Sequence, residues 1–189
     1  MVVVLIGASS NVGKTTAARD VARRLGAADV SIDDHIPAEL ATSSPFRDEM
    51  IWNLEREDLL AALRAQTAQL WPVVSRLVDE VMASDRAVII EGQGIEPRIG
   101  ADRTNSVVRS VFVVEESVDQ LRATLAARDS AGGVRYRGLP EDAQRAVAIM
   151  NADYAQWIRA EAESNRQPWI SSQPWSTLAA RVIDAAGLA

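Results

Sequence analysis

Residues 2–16 read Val2-Val3-Val4-Leu5-Ile6-Gly7-Ala8-Ser9-Ser10-Asn11-Val12-Gly13-Lys14-Thr15-Thr16. The β-branched run that opens this stretch predicts a strand buried on both faces of a sheet. A small, polar segment follows it. From Lys14 to Leu25 the apolar positions recur at helical spacing, with Val21, Ala22 and Leu25 on one face and Gly26 placed to stop the helix.

Between strand and helix, Ala8 to Thr15 follows the pattern G-x-x-x-x-G-K-[ST], with Ala8 in the first place and Gly7 one residue early. The spacing has a physical reason. A loop that wraps a polyphosphate does so with backbone N–H groups, so Ala8, Ser9, Ser10, Asn11 and Val12 must keep small or turned-away side chains, and Gly13 must let the anion come close. The helix that starts at Lys14 points its unpaired N–H groups and positive dipole end at the same anion. Lys14 supplies a charge to the β- and γ-phosphates, Thr15 a hydroxyl to a magnesium ion, and Thr16 a contact near the α-phosphate. Lys14 is also the only lysine in the sequence. Nucleotide binding, with ATP and Mg2+ as cofactors, is the expectation.

Working outward, a second strand is expected over 28–32 and ends at Asp33 and Asp34. Residues 35–53 read as irregular. Residues 54–83 carry Leu59, Leu63, Leu70, Leu77, Val78 and Val81 at helical spacing, with Pro72 placed to kink or split the helix. Ala87-Val88-Ile89-Ile90-Glu91 makes a third strand and 107–114 a fourth, with helices over 117–128 and 141–164, a fifth strand at 168–171, and a last helix over about 175–187 with Pro174 in its first turn. Strands alternating with helices predict a three-layer α/β fold, a parallel sheet with helices on both faces. The 189 residues suit one such domain.

Phosphoryl transfer needs a base or anchor for the acceptor hydroxyl and carboxylates for magnesium. Ligands gather at the carboxyl ends of parallel strands. Asp33 or Asp34, with Asp33 preferred, ends the second strand, and Glu91 ends the third, where it resembles the acid of a Walker B strand or serves as the acceptor's base. Asp33 and Glu91 join Thr15 as expected metal ligands. Gly92-Gln93-Gly94 is read as letting substrate approach the backbone. Arg128, Arg135 and Arg137 lie in or beside a glycine-rich loop over 129–140, where they are expected to stabilise transition-state charge. His35 reads as polar surface, and Arg98 as either an anion clamp or surface. Trp52, Trp71 and Trp157 read as core or acceptor-pocket lining. Residues 171–176, Ser-Ser-Gln-Pro-Trp-Ser, lie where the nucleotide base is often touched.

Gly7 to Thr16, IDDH at 32–35, IIEGQG at 89–94 and the arginine-bearing loop at 128–137 come in the order found in nucleoside-monophosphate-kinase-like P-loop kinases. The chain resembles that group over nearly its whole length. Within it, the chain is most similar to small-metabolite kinases such as the shikimate, gluconate and 2-phosphoglycerate kinases and chloramphenicol phosphotransferase. The resemblance implies a five-stranded parallel sheet of order 2-3-1-4-5 and a single P-loop kinase domain over 1–189. It also implies a helical acceptor-binding insertion at about 35–84 and a lid at about 128–140. A small-molecule phosphoryl acceptor is the implied partner, with the asparagine- and glutamate-bearing segments 52–56 and 91–98 as candidates for reading it. In several relatives an Asp after the second strand binds or deprotonates the acceptor, which supports Asp33 or Asp34.

Other classes fit less well. The formal charge of −6, without any basic run, argues against a nucleic-acid partner. With one lysine there is no Asn-Lys-x-Asp segment to read guanine, which argues against a regulatory GTPase. No cysteine is present, so thiolate chemistry is excluded. The opening residues carry no basic leader and no apolar run approaches membrane length, so a cytoplasmic protein without membrane contact is expected. Two alternatives stay open: a nucleotide-binding module without transfer activity, and a homodimer formed through the apolar helices at 54–83 and 141–164.

Overall fold

The structure, a computed structural model, describes residues 2–47, 49–105, 107–130 and 140–189. The strands are β1 (Val3–Ala8), β2 (Ala28–Ser31), β3 (Val88–Gly92), β4 (Val108–Val114) and β5 (Trp169–Ser171). They form one parallel sheet in the order β2-β3-β1-β4-β5. The helices are α1 (Lys14–Leu25), α2 (Ala38–Thr42), α3 (Arg56–Ala68), α4 (Trp71–Ala83), α5 (Pro97–Arg103), α6 (Val118–Ser130), α7 (Glu141–Ser164) and α8 (Leu178–Ala185). The expected α/β architecture and strand order are both present.

The central strand shows why the chain folds this way. β1 is hydrogen-bonded on both edges, to β3 and to β4, and all six of its residues are buried. Its alternate side chains feed two cores. Val3 and Leu5 pack with Ile32, Leu59, Val74 and Tyr154 on one face. Val4, Ile6 and Ala8 pack with Val21 of α1, Leu121 of α6 and Val182 of α8 on the other. A strand covered on both sides needs apolar residues at consecutive positions, which is what residues 2–6 supply. The long α7 reaches both cores, through Val147 and Ala148 on one and Tyr154 and Ile158 on the other.

Local signals explain most boundaries. Gly26 takes φ 62° and closes α1, a left-handed cap that glycine adopts without steric cost. The expected long helix over 54–83 is two helices, with Pro72 in the first turn of the second. Proline suits that position because it has no N–H to donate. The last helix is shorter than expected. Trp175–Thr177 form a 3-10 turn after Pro174, and α8 begins at Leu178. Pro174 therefore precedes the helix rather than lying in its first turn. The short α5 was not expected from periodicity, since seven residues span barely two turns. No helix among the described residues is long and apolar enough to cross a membrane.

Gly7 has a packing role. A Cβ built on it would lie 2.3 Å from the carbonyl oxygen of Ile95 and 2.6 Å from Phe112 Cε1. The backbone carbonyl cannot rotate away, so Gly7→Ala is expected to cost about 3 kcal/mol, the upper end for an overpacked core. Gly26→Ala meets nothing within 4 Å and carries only the left-handed backbone penalty, about 1 kcal/mol. Urea unfolding of the two variants checks this, and equal losses would contradict the packing role.

Candidate active site

The loop between β1 and α1 turns at two residues. Asn11 has φ 66° and Gly13 φ 84°, while Ala8 is still in the strand and fully buried. The first place of the pattern therefore needs no left-handed residue here, and alanine satisfies it. Ser9, Ser10, Asn11 and Val12 are all buried. Lys14 Nζ donates to the carbonyl oxygen of Ser9 at 3.4 Å, which folds the lysine back over the loop.

Thr15 and Glu91, 76 residues apart, meet at the same point. Parallel pairing of β1 with β3 sets Ile6 opposite Glu91, so the acid stands at the strand end beside the loop. Thr15 Oγ1 donates to Glu91 Oε1 at 3.0 Å. Glu91 is 3% exposed, and its Oε2 is buried without a hydrogen-bond partner among the described residues. The Ser9 hydroxyl is in the same condition. A buried carboxylate oxygen left unpaired costs free energy, and a cation beside Thr15 and Glu91 would satisfy it. The donor set suits magnesium, which takes one or two protein oxygens and fills its remaining positions with phosphate and water. No group of three or more His, Cys, Asp or Glu able to hold a metal occurs among the described residues.

A cavity of about 460 Å³ opens on the other side of the loop. Gly13, Lys14, Thr15 and Thr16 form one wall, and Thr124 of α6 and Trp175 form the others. The Trp175 indole is 48% exposed and lies against Gly13, whose built Cβ would be 3.4 Å from Nε1. Its loop is heavily tied. The Arg181 guanidinium donates to the carbonyl oxygens of Ser171, Ser172 and Pro174 and to the Thr177 hydroxyl, and Ser172 Oγ donates to Glu115 Oε2. Through Trp175, the segment 171–176 borders the loop between β1 and α1.

The remaining expected residues divide. Asp33 and Asp34 lie in a 3-10 turn, Ile32–His35, directly after β2, and Ser31 pairs with Glu91, so both acids flank the strand end that carries Glu91. They are exposed, as is His35. Arg128 is in the last turn of α6. Arg135 and Arg137, with most of the 128–140 lid, fall outside the described residues. Arg98 is exposed near the start of α5. Trp52, Trp71 and Trp157 are partly buried against the core, and the Arg64 guanidinium covers Trp157 at 4.4 Å.

One expectation is corrected. Gly92 and Gly94 do not open the backbone to a ligand, because protein fills the space beside them. A Cβ on Gly92 would meet Ile32 Cβ at 2.7 Å, and one on Gly94 would meet Leu70 Cβ at 2.6 Å. Both glycines serve close packing of the helical segments on β3.

Polar residues of α7 that motif reading did not single out reach these loops. Ser10 N donates to Asn151 Oδ1 at 3.0 Å, the Ser10 hydroxyl reaches Gln93 Oε1 at 3.4 Å, and Tyr154 OH donates to Gln93 O at 3.1 Å. Arg56 makes a two-point ion pair with the buried Asp153, which raises the arginine's pKa further through that hydrogen bond. Glu96, 5% exposed, accepts from Thr67 Oγ1 at 2.7 Å. A polar residue inside an apolar helical stripe is the signal that sequence offered for Asn151, between Val147 and Tyr154, while Gln93 and Glu96 fall in the segment 91–98 and Arg56 in 52–56.

No family model matches the sequence, and no curated protein matches it. Solved structures do match, and they define the class of fold. A gluconokinase from Sinorhizobium meliloti is 14% identical with a TM-score of 0.58, covering 98% of this chain and 91% of that one. A sugar kinase from Janibacter sp. is 19% identical with a TM-score of 0.54, covering 100% and 96%. A shikimate kinase from Acinetobacter baumannii, solved with shikimate, is 14% identical with a TM-score of 0.52, covering 96% and 88%. The chain has the fold of the P-loop small-molecule kinases.

Burial raises the pKa of Glu96, against the opposing effects of Thr67, Arg98 and Arg64, while Glu161 adds to the rise. An acid with a raised folded pKa binds more protons folded than unfolded. Its contribution to stability is therefore present below the ordinary value of 4.5 and is lost as pH rises through the folded value. Glu96→Gln keeps an acceptor for Thr67 and removes the charge. The stability of the variant relative to the native chain is expected to rise with pH above 4.5. Urea midpoints across pH 4 to 8 (a range of about four units) measure it, and a flat difference would contradict the burial cost.

Proposed function

We propose that this chain is an ATP- and magnesium-dependent kinase that transfers the γ-phosphoryl group to an oxygen of a small molecule. The observation that carries this reading is the pairing of Thr15 with the buried Glu91, whose second oxygen has no partner among the described residues. It lies beside a loop whose pattern and dihedral angles suit a polyphosphate.

Each residue then has a role. Backbone N–H groups of the 8–16 loop and the N-terminus of α1 hold the phosphates. Lys14 neutralises the β- and γ-phosphates. Thr15, Glu91 and Asp33 would hold the magnesium ion. When bound, the ion offsets charge on the phosphates. Trp175 offers an aromatic face to the base. Asp33 or Asp34 anchors the acceptor hydroxyl and takes its proton, and Arg128, Arg135 and Arg137 stabilise the transferred group from the lid. The acceptor sits between β3 and the helices α2 to α4. Support for a small acceptor comes from the structural neighbours, whose named activities make gluconate, shikimate and sugars the first compounds to try.

Lys14→Ala is expected to weaken ATP binding roughly 10- to 100-fold, the scale of a lost charge-assisted contact. Glu91→Gln keeps its size and an acceptor for Thr15 but removes the charge. It should hold ATP within a few-fold of native affinity while slowing acceptor-dependent ADP release by about 100-fold or more. Coupled-assay turnover across an acceptor panel measures both. Release that no acceptor stimulates, with ATP still bound, would favour a nucleotide-binding module without transfer. Full transfer in Glu91→Gln would remove Glu91 from the mechanism.

A further inference from the structure

Asn151 lies in the middle of α7, is 1% exposed, and is flanked on its helix by Val147, Ala148, Ala152 and Ala155, all buried. A primary amide there loses its hydration, and asparagine is a poor helix former. Both of its polar ends are used. Oδ1 accepts the Ser10 N–H at 3.0 Å, and Nδ2 donates to Val147 O at 2.8 Å. These partners also fix the orientation of the amide, since Ser10 N–H requires an acceptor and Val147 O a donor.

Tyr154 lies three residues on, on the same face of α7. Its hydroxyl donates to Gln93 O at 3.1 Å, and Gln93 Oε1 is 3.4 Å from the Ser10 hydroxyl. One helical turn therefore grips the loop after β1 and the loop after β3 together. The first loop leads into Lys14 and Thr15 at the start of α1, and the second follows the strand end that carries Glu91. Thr15 Oγ1 and Glu91 Oε1, which flank these loops, are 3.0 Å apart.

We propose that Asn151 is a positioning residue for the phosphate loop, with Tyr154 as its companion. Asn151 takes up the Ser10 amide, which holds the Ser9–Val12 backbone in its turned form before any anion arrives. The amides nearer Gly13 are left to face the phosphates. The proposal rests on the nucleotide-binding reading given above. The loop is thus preorganised, and binding need not pay to order it. Without Asn151, the Ser10 N–H is a buried donor with no partner, and the loop moves to hydrate it.

Calorimetric titration of Asn151→Ala with magnesium ATP and with inorganic tripolyphosphate tests this, at a temperature well below the variant's melting point. Global destabilisation then leaves the affinities untouched. Both are expected to weaken by the same factor, about tenfold, because the fault lies at the phosphate end. Native affinity for both ligands would overturn the proposal. So would a loss confined to ATP, which would place the fault at the base. If the variant does not fold, amide hydrogen exchange of the native, nucleotide-free protein decides. Slow exchange at Ser10 supports the proposal, and exchange at the rate of an open loop overturns it. A native chain that binds neither ligand would refute the nucleotide reading itself, whatever the exchange rate at Ser10.

Discussion

The pairing of β1 with a parallel neighbour on each edge is the constraint on which the rest of the molecule depends. It buries Val3 to Ala8 completely and ends them at one rigid point, where the chain must turn sharply into α1. Because β3 runs alongside in register, Glu91 arrives next to that turn, where it accepts from Thr15 Oγ1. Because β4 runs along the other edge, Phe112 lies across Gly7 and fixes how closely the sheet and the loop after β3 approach. A loop that is to bind phosphate, as proposed for this one, needs open amides and a fixed shape at once. The strand supplies the fixed shape, and the helix that follows supplies the open amides.

The helices built on this sheet divide their work. On one face, α1, α6 and α8 enclose the cavity that runs from the loop to Trp175. On the other, α3 and α4 pack on β1 and β3. Between them, α7 touches both cores and sends polar groups to three places: Asn151 to the loop after β1, Tyr154 to the loop after β3, and Asp153 to Arg56 on α3. Buried polar groups cost free energy unless paired. These are paired across elements far apart in sequence, so they register the parts of the site against each other.

Much of this was legible in the sequence, and the reason differs by feature. The run before Gly7, the loop pattern, Gly26 and Pro72 are local signals, and each is read from a few adjacent residues. The strand order follows from family resemblance and agrees with the sheet. Other features depend on contacts between distant segments, which no window reveals. Gly92 and Gly94 were read as ligand-facing, but Ile32 and Leu70 occupy that space. The seven-residue α5 is too short to show a period. Asn151 is visible only as a polar interruption in an apolar stripe, and its partner lies 141 residues away. Asp33 and Asp34 fall where the sequence reading put them, at the end of β2, yet they are exposed and their role rests on a ligand.

Titration of the native chain with magnesium ATP in a calorimeter tests the central claim most directly. The account predicts saturable binding at one site per chain, with tripolyphosphate competing for it, since the phosphate loop supplies most of the contacts. An absence of binding at millimolar nucleotide, or ATP binding that tripolyphosphate does not displace, would contradict it.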